Sequence, residues 1–249
     1  MPRTALLIAA LLMCLPLTAR GEAPEAGWYE ALRKGDVAQL KQMLGTVEDP
    51  DTGADSGRTA LMVAAQSGDP ELVKELLAAG AEVNAENPNG GTPLMYAAAG
   101  GNPDVVDRLV AAGAELEARA SLGWTALLVA SAKGRTEAVA ELLAAGANCN
   151  ARDVYGWTPL MRAVDGHYLD TARVLLEQGH VDVNNQEESG NTALHLAAAD
   201  GDVETIRLLL EHGARPDIAN YMGMTAEAVA RTRGHTRAAR LVKAPTSGG

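Results

Sequence analysis

Six threonines recur at a nearly constant interval along this chain of 249 residues. Successive members are separated by 33, 33, 33, 34 and 33 residues, and each opens a similar phrase such as TALMVAA, TPLMYAA or TALHLAA. The six are Thr59, Thr92, Thr125, Thr158, Thr192 and Thr225. A fixed interval of this length indicates a structural unit that cannot bury its apolar face alone and therefore stacks on copies of itself. The interval thus predicts an elongated stack of similar units.

Each unit predicts two short helices followed by a protruding loop. A leucine two residues after the threonine and an alanine three residues later have helical spacing, and a glycine such as Gly68 or Gly101 then ends this first helix. An apolar pair such as Leu76 and Leu77 marks a second helix, which a further glycine closes. The segment that follows is rich in Asn, Asp and Gly, residues that favour turns, so we expect it to form a hairpin finger.

These phrases resemble the ankyrin repeat, whose pattern is G-x-T-P-L-H-x-A-A, a helix pair and then G-A-x-V-N. The resemblance implies an all-α solenoid of stacked helix pairs with β-hairpin fingers. It divides the chain into an N-terminal linker and capping repeat at 22–56, five repeats at 57–222, a C-terminal capping repeat at 223–243 and a disordered tail at 244–249. The histidine of the pattern is kept only at His195, His167 replaces one turn glycine, and the loop from Gly179 to Asn184 is one residue longer than its counterparts. We expect stacking to survive these changes.

The first 21 residues have the composition of a secretory signal peptide. Arg3 precedes an apolar run from Ala5 to Leu17, and small residues follow that suit cleavage after Ala19 or Gly21. The run is shorter than the roughly 18 apolar residues expected of a spanning helix. We therefore expect a periplasmic or secreted protein that meets the membrane only through this transient segment; lipidation at Cys14 is the alternative.

Charge and motifs limit the classes of ligand. The chain has 21 Lys and Arg against 32 Asp and Glu, a net charge of −11, which disfavours nucleic acid and favours a protein partner with a basic patch. The sequence has no Gly-rich phosphate loop, no H-E-x-x-H and no G-x-S-x-G. We therefore expect no cofactor, no metal, no small-molecule substrate and no catalytic site. A site around Asp165, His167 and Tyr168, where the repeat departs from its pattern, is the enzymatic alternative.

Three other features each have a structural and a functional interpretation. The loop containing Asp49, Asp51 and Asp55 is either an ordinary solvated turn or a calcium site, although the expected bidentate glutamate is missing. Cys149 takes the place of a buried valine in other repeats, so we expect packing rather than a redox role. The Arg-rich segment after Thr225 is either the polar face of a terminal cap or a surface that docks on anionic groups.

Large side chains are concentrated in the fourth and fifth units. The chain has no Phe, three Trp and five Tyr, yet two tryptophans take the same repeat position with a tyrosine beside one of them. Aromatic residues and Arg anchor protein interfaces. The predicted partner-binding residues are Leu122, Trp124, Lys133, Arg152, Tyr155, Trp157 and Asp165. The alternative is that adjacent fingers pack their tryptophans on one another only to stiffen the stack.

The sequence therefore predicts an exported, non-catalytic protein that binds a partner protein through the concave surface of its fingers and first helices. An inhibitor or immunity protein that blocks an exported enzyme is the alternative, and it differs by forming a tight pair of fixed stoichiometry. Neither the partner nor the oligomeric state follows from the sequence.

Overall fold

The computed structural model describes residues 24–243. The predicted signal peptide at 1–21 and the predicted tail at 244–249 lie outside the described residues. The described part contains fourteen α-helices: α1 (Pro24–Lys34), α2 (Val37–Met43), α3 (Ala60–Ser67), α4 (Pro70–Ala78), α5 (Pro93–Gly100), α6 (Pro103–Ala111), α7 (Ala126–Ala132), α8 (Thr136–Ala144), α9 (Pro159–Asp165), α10 (Leu169–Gln178), α11 (Ala193–Asp200), α12 (Val203–Glu211), α13 (Ala226–Thr232) and α14 (Thr236–Leu241). Short 3₁₀ turns follow α2 (Leu44–Thr46) and precede α7 (Ser121–Gly123).

The recurring threonines begin the inner helix of each pair. Thr59 has extended backbone, and its side-chain oxygen accepts a hydrogen bond from the Met62 N–H at 3.4 Å. The arrangement recurs at Thr92, Thr125, Thr158 and Thr225. An N-cap of this kind satisfies a backbone donor that has no partner within the helix, which explains why the threonine is repeated.

A left-handed residue turns the chain between the two helices of each pair. The turn glycines have φ angles between +63° and +92°, a region that side chains rarely adopt: Gly68, Gly101, Gly134, Gly201 and Gly234. His167 takes the same conformation with φ +58° and without the freedom of glycine. The helix pair of that unit still forms, so the expectation that the stack tolerates His167 agrees with the observed architecture.

The extra residue in the fifth unit changes the end of its outer helix. Gly80, Gly113, Gly146 and Gly213 close the other outer helices with φ angles of +84° to +94°. Helix α10 has ten residues, whereas the outer helices α4, α6, α8 and α12 have nine. Gly179 after α10 is extended, with φ −91° and ψ 150°. The longer loop therefore begins with an added helical residue and loses the left-handed closure.

The core is one continuous ribbon between the inner and outer helices. Inner helices pack on inner helices and outer helices on outer helices from α3 to α14. Leucines such as Leu61, Leu94 and Leu127 are fully buried between small alanines, and burying each such side chain contributes about 1.5–3 kcal/mol. At the N-terminal end Trp28 is buried and its indole N–H donates to the Thr52 carbonyl at 3.0 Å. This ribbon buries most of the apolar side chains. The fingers and the solvent-facing sides of the inner helices remain exposed.

Polar side chains connect successive units beneath the fingers. Asn84 accepts a hydrogen bond from the Glu115 N–H at 2.9 Å, and Asn150 accepts one from the Asp182 N–H at 2.8 Å. Asp51 has the same role, since its carboxylate accepts from the Glu82 N–H at 2.8 Å, while burial raises its pKa. The acidic loop considered as a calcium site thus contributes a bridging carboxylate to the repeat architecture.

Candidate protein-binding surface

Every finger ends in a tight turn, and backbone hydrogen bonds join each described turn to the next from the second finger onward. In the fourth unit the Asp153 N–H donates to the Trp157 carbonyl at 3.1 Å and closes the turn. The Val154 N–H donates to the Leu122 carbonyl at 2.9 Å, and the Glu188 N–H donates to the Tyr155 carbonyl at 3.0 Å. Regular strands are absent among residues 24–243, where a single isolated bridge joins Ala219 and Thr225. The fingers therefore form a connected row rather than independent loops.

The tips of the third and fourth fingers carry exposed apolar side chains. Leu122, Val154 and Tyr155 are 52%, 56% and 46% exposed. Leu122 also has φ +63°, a left-handed conformation that costs a non-glycine residue about 1–2 kcal/mol. The turn that contains Leu122 begins at Ala120, which has no side-chain acceptor. The turn that contains Tyr155 begins at the corresponding Asp153, whose carboxylate accepts backbone hydrogen bonds within that turn. An apolar side chain held in a strained turn and exposed to water is a candidate contact residue.

Both tryptophan rings pack against the guanidinium group of Arg162. The guanidinium carbon of Arg162, on inner helix α9, lies 4.7 Å from the centre of the Trp124 ring and 4.6 Å from that of the Trp157 ring. Both indoles are half-buried. These two cation–π contacts join the third and fourth fingers to an inner helix. The arginine that makes them was not singled out by the repeat pattern.

Arg162 also forms an ion pair with a buried carboxylate. Its guanidinium donates to Oδ2 of Asp153, whose side chain is fully buried. The other oxygen of Asp153 accepts from the N–H groups of Tyr155 and Trp157 at 2.9 and 3.0 Å. The ion pair, the turn and the two rings therefore form a single network, which sets the position of the Tyr155 tip.

Arg152 and its counterparts stabilise the fingers from the side. Arg119 donates to the Gly123 carbonyl at 3.1 Å and to the Arg152 carbonyl at 2.9 Å. Arg152 in turn donates to the backbone carbonyl of Gln186. The side-chain amide of Gln186 donates to the Ala219 carbonyl at 3.1 Å. These side chains connect each finger to the next. Arg152 is exposed, but its guanidinium is already used within the row.

Lys133 and Asp165 lie near the ends of inner helices α7 and α9, and both are exposed. Within the described part of the chain neither forms a salt bridge. Of the seven predicted residues, the structure thus brings Leu122, Tyr155 and the tryptophans onto one surface. Lys133 and Asp165 lie on the adjoining inner helices. Their role in binding a partner stays a prediction.

The histidines have structural surroundings. His195 is buried, accepts the Thr192 N–H at 3.2 Å through Nδ1 and bonds the Met224 carbonyl at 3.0 Å through Nε2. Burial lowers the pKa of His195, which favours the neutral ring. Only a neutral ring can accept the hydrogen bond from the Thr192 N–H through Nδ1. His167 lies 4.0 Å from a carboxylate oxygen of Asp202, and the Tyr168 ring covers Gly134. In residues 24–243 no three His, Cys, Asp or Glu side chains are grouped to hold a metal ion.

Cys149 is half-buried and unpaired by disulfide, and it packs against the core as the valine-like interpretation expected. None of the helices between residues 24 and 243 has the length and apolarity needed to cross a membrane.

Comparison with known proteins identifies the repeat. A sequence profile described as ankyrin repeats matches three times, at residues 28–120, 116–187 and 179–246. The chain belongs to the ankyrin-repeat family. The left-handed turn glycines, the threonine caps and the fingers described above are thus parts of successive ankyrin units, and the sequence-based resemblance to the ankyrin repeat is confirmed.

Solved and curated proteins place this ankyrin-repeat chain among similar ones. The crystal structure of the human ASB11 ankyrin repeat domain superimposes with a TM-score of 0.78 at 27% identity, over 88% of this chain and 99% of that one. The predicted all-α fold class is confirmed. The potassium channel AKT1 of Oryza sativa is 48% identical over 54 residues, which are 22% of this chain and 6% of the channel. Protein phosphatase 1 regulatory subunit 12A of Mus musculus is 38% identical over 74 residues, 30% of this chain and 7% of that protein.

The similarity to the curated proteins is confined to a small part of each, and it reflects the shared repeat. Ankyrin repeats in general form a non-catalytic scaffold that mediates contacts between proteins. The exposed surface of this chain includes the fingers and the solvent-facing sides of the inner helices. A binding site is therefore to be sought on that surface.

Proposed function

We propose that this ankyrin-repeat chain is an exported, non-catalytic protein that binds a partner protein through the concave surface of its third and fourth fingers and the adjoining inner helices. The observation that carries the proposal is the exposure of Leu122, Val154 and Tyr155 at the tips of fingers that are otherwise fixed by hydrogen bonds. Contact is assigned to these tips and to Lys133 and Asp165. The tryptophans support the tips from below.

Rigidity is the physical basis of binding in this proposal. The Arg162 stack, the Asp153 turn and the bonds between fingers hold the tips in place before a partner arrives. Little conformational entropy is then lost on association, so a small group of apolar and aromatic anchors suffices.

Two further parts of the proposal rest on the sequence. The net charge of −11 favours a partner with a basic patch, which would be attracted over a distance and would bind faster at low salt. The composition of residues 1–21 supports export to the periplasm or the exterior. Detection of the mature N-terminus by mass spectrometry, after Ala19 or Gly21, tests export separately from binding; an uncleaved cytosolic chain contradicts it.

The binding proposal is tested by affinity capture from an envelope extract with matched variants. Leu122→Asn with Tyr155→Ser removes two apolar tips, and asparagine suits the left-handed position of Leu122. Met222→Asn alters the same tip position in the last finger, where Met222 is 71% exposed. We expect the double variant to lose the captured protein and the Met222 variant to retain it. Equal recovery by all three proteins would contradict the assignment of the third and fourth fingers.

A further inference from the structure

A shallow apolar hollow opens on the concave surface between the second and third fingers. Its floor consists of Met95 and Ala99 on α5, Val129 on α7 and Ala120 at the base of the third finger. Tyr96 forms one wall and is fixed by the Asn87 side-chain amide, which donates to the tyrosine oxygen at 2.9 Å. Gly91 lies at the rim. The residues that line the hollow include none of the predicted contact residues.

The repeat itself indicates what fits this hollow. Gly91 occupies the repeat position that Trp124 and Trp157 occupy in the next two units. Where the tryptophan is present, its indole covers the inner-helix residue of the following unit, as Trp124 covers Arg162. The corresponding residue one unit earlier is Val129, which lines the hollow. By this alignment the hollow corresponds to the region that an indole ring occupies in the next repeat, and Gly91 has no side chain to fill it.

The charges around the hollow are positive. Arg58 lies 5.3 Å from the centre of the Tyr96 ring and donates to the Gln66 side chain at the edge of the hollow. Arg135 donates through Nε to the Ala99 carbonyl at 3.0 Å. Lys133, exposed, follows Val129 by one helical turn. The residues that line the hollow include no carboxylate.

Many acidic residues lie on the outer helices, away from the residues that line the hollow. The outer helices nearest to this region carry carboxylates that are mostly exposed: Glu71, Glu75, Asp104, Asp107, Glu137 and Glu141. The three cations named beside the hollow therefore differ in sign from the net charge of the chain. A basic patch on a partner suits the outer acidic surface, whereas carboxylates suit the arginines and lysine beside the hollow.

We propose that the hollow receives an aromatic side chain from the partner protein, on a segment in which carboxylates flank that side chain. The inserted ring takes the place of the missing indole against Val129 and Tyr96, and the flanking carboxylates pair with Arg58, Lys133 and Arg135. This inference rests on the proposed binding function and specifies the chemistry of the bound segment.

Three capped heptapeptides provide the test. The first has a central tryptophan flanked on each side by two glutamates and a terminal glycine; the second replaces the tryptophan with alanine, and the third replaces the glutamates with lysines. Titration is followed by NMR of methionine methyl groups, with Met95 as the reporter in the hollow and Met222 as the reporter outside it. We expect the first peptide to shift Met95 in a saturable manner, and the other two to bind about tenfold more weakly, as for loss of one anchor.

Matched variants locate the site. Ala99→Leu fills the hollow from an inner helix, and Ala111→Leu adds the same side chain on the exposed outer side of α6. We expect Ala99→Leu to weaken the first peptide about tenfold and Ala111→Leu to leave its affinity unchanged. An unshifted Met95 in the wild type, or equal affinity in both variants, overturns the proposal. Equal binding of the glutamate and lysine peptides overturns the assignment of carboxylates.

The capture and peptide experiments together distinguish an error in the inference about the hollow from an error in the proposed function. If the Leu122 and Tyr155 variant loses its partner while no peptide shifts Met95, the finger tips bind and the inference about the hollow is wrong. If that variant retains its partner as well, the proposed function fails together with the inference.

Discussion

Replacement of Arg162 by leucine tests whether the buried network beneath the fingers stabilises the stack. Leucine is a suitable replacement because Leu196 occupies the equivalent position in the next unit. The substitution removes the cation between the two indoles and leaves the Asp153 carboxylate, whose side chain is fully buried, without its partner. A buried charge without a partner is costly, so the effect should exceed that of losing the ring contacts alone.

The magnitude follows from the burial of the two partners. Removing one member of a buried ion pair costs about 3–5 kcal/mol; the Arg162 side chain keeps 18% of its surface exposed, which places the expected loss near the lower end, about 3 kcal/mol. Asparagine in place of Asp153 carries no charge and can still accept the backbone bonds, as Asn87 and Asn220 do in their own turns. In that background Arg162→Leu should cost about 1 kcal/mol, the value of the ring contacts.

The assay is urea unfolding, followed by far-ultraviolet circular dichroism, for the wild type, the two single variants and the double variant. We expect a coupling energy of about 2 kcal/mol between Asp153 and Arg162. If Arg162→Leu costs the same free energy whether residue 153 is aspartate or asparagine, the two side chains act independently and the reasoning is refuted.

Three other predictions each concern the replacement of a single residue. His167→Gly should raise the free energy of unfolding by about 0.5–1 kcal/mol, because glycine adopts the left-handed φ without strain; a loss of stability in urea would contradict this. Ser131 is fully buried with no partner for its hydroxyl in the described structure, so Ser131→Ala should stabilise by about 1 kcal/mol, and a lower melting temperature would be inconsistent with that. Burial lowers the pKa of His195, so the unfolded chain takes up a proton first as the pH falls below its usual 6.5 and stability decreases. His195→Met should reduce this decrease between neutral pH and about pH 5, and an unchanged pH profile of the urea midpoint would show that other groups cause it.

The repeat architecture was predictable because its signals are local. A threonine that caps a helix and a glycine with a left-handed φ act within a few residues, so their spacing predicted each helix pair. The lengthened loop was less predictable. Gly179 ends α10, as the glycine spacing predicts, but α10 is one residue longer and Gly179 has extended backbone where Gly146 is left-handed.

The candidate site was predictable only where exposure follows from repeat position. Leu122 and Tyr155 lie at finger tips, and both are exposed as their positions indicate. Arg162 occupies a position held by Val129 and Leu196 in neighbouring units, so only its departure from that pattern marked it. The contact between Trp124 and Arg162 joins two separate units, and no local sequence pattern encodes such a contact.

Site-specific photocrosslinking tests the central claim most directly, since it captures a partner of any identity. A benzophenone amino acid is placed at Leu122 or Tyr155, and at Ala111 on an outer helix as the control. The account predicts that the finger positions yield one covalent adduct with the same partner protein and that Ala111 yields none. An adduct formed from Ala111, with none from either finger, would contradict it.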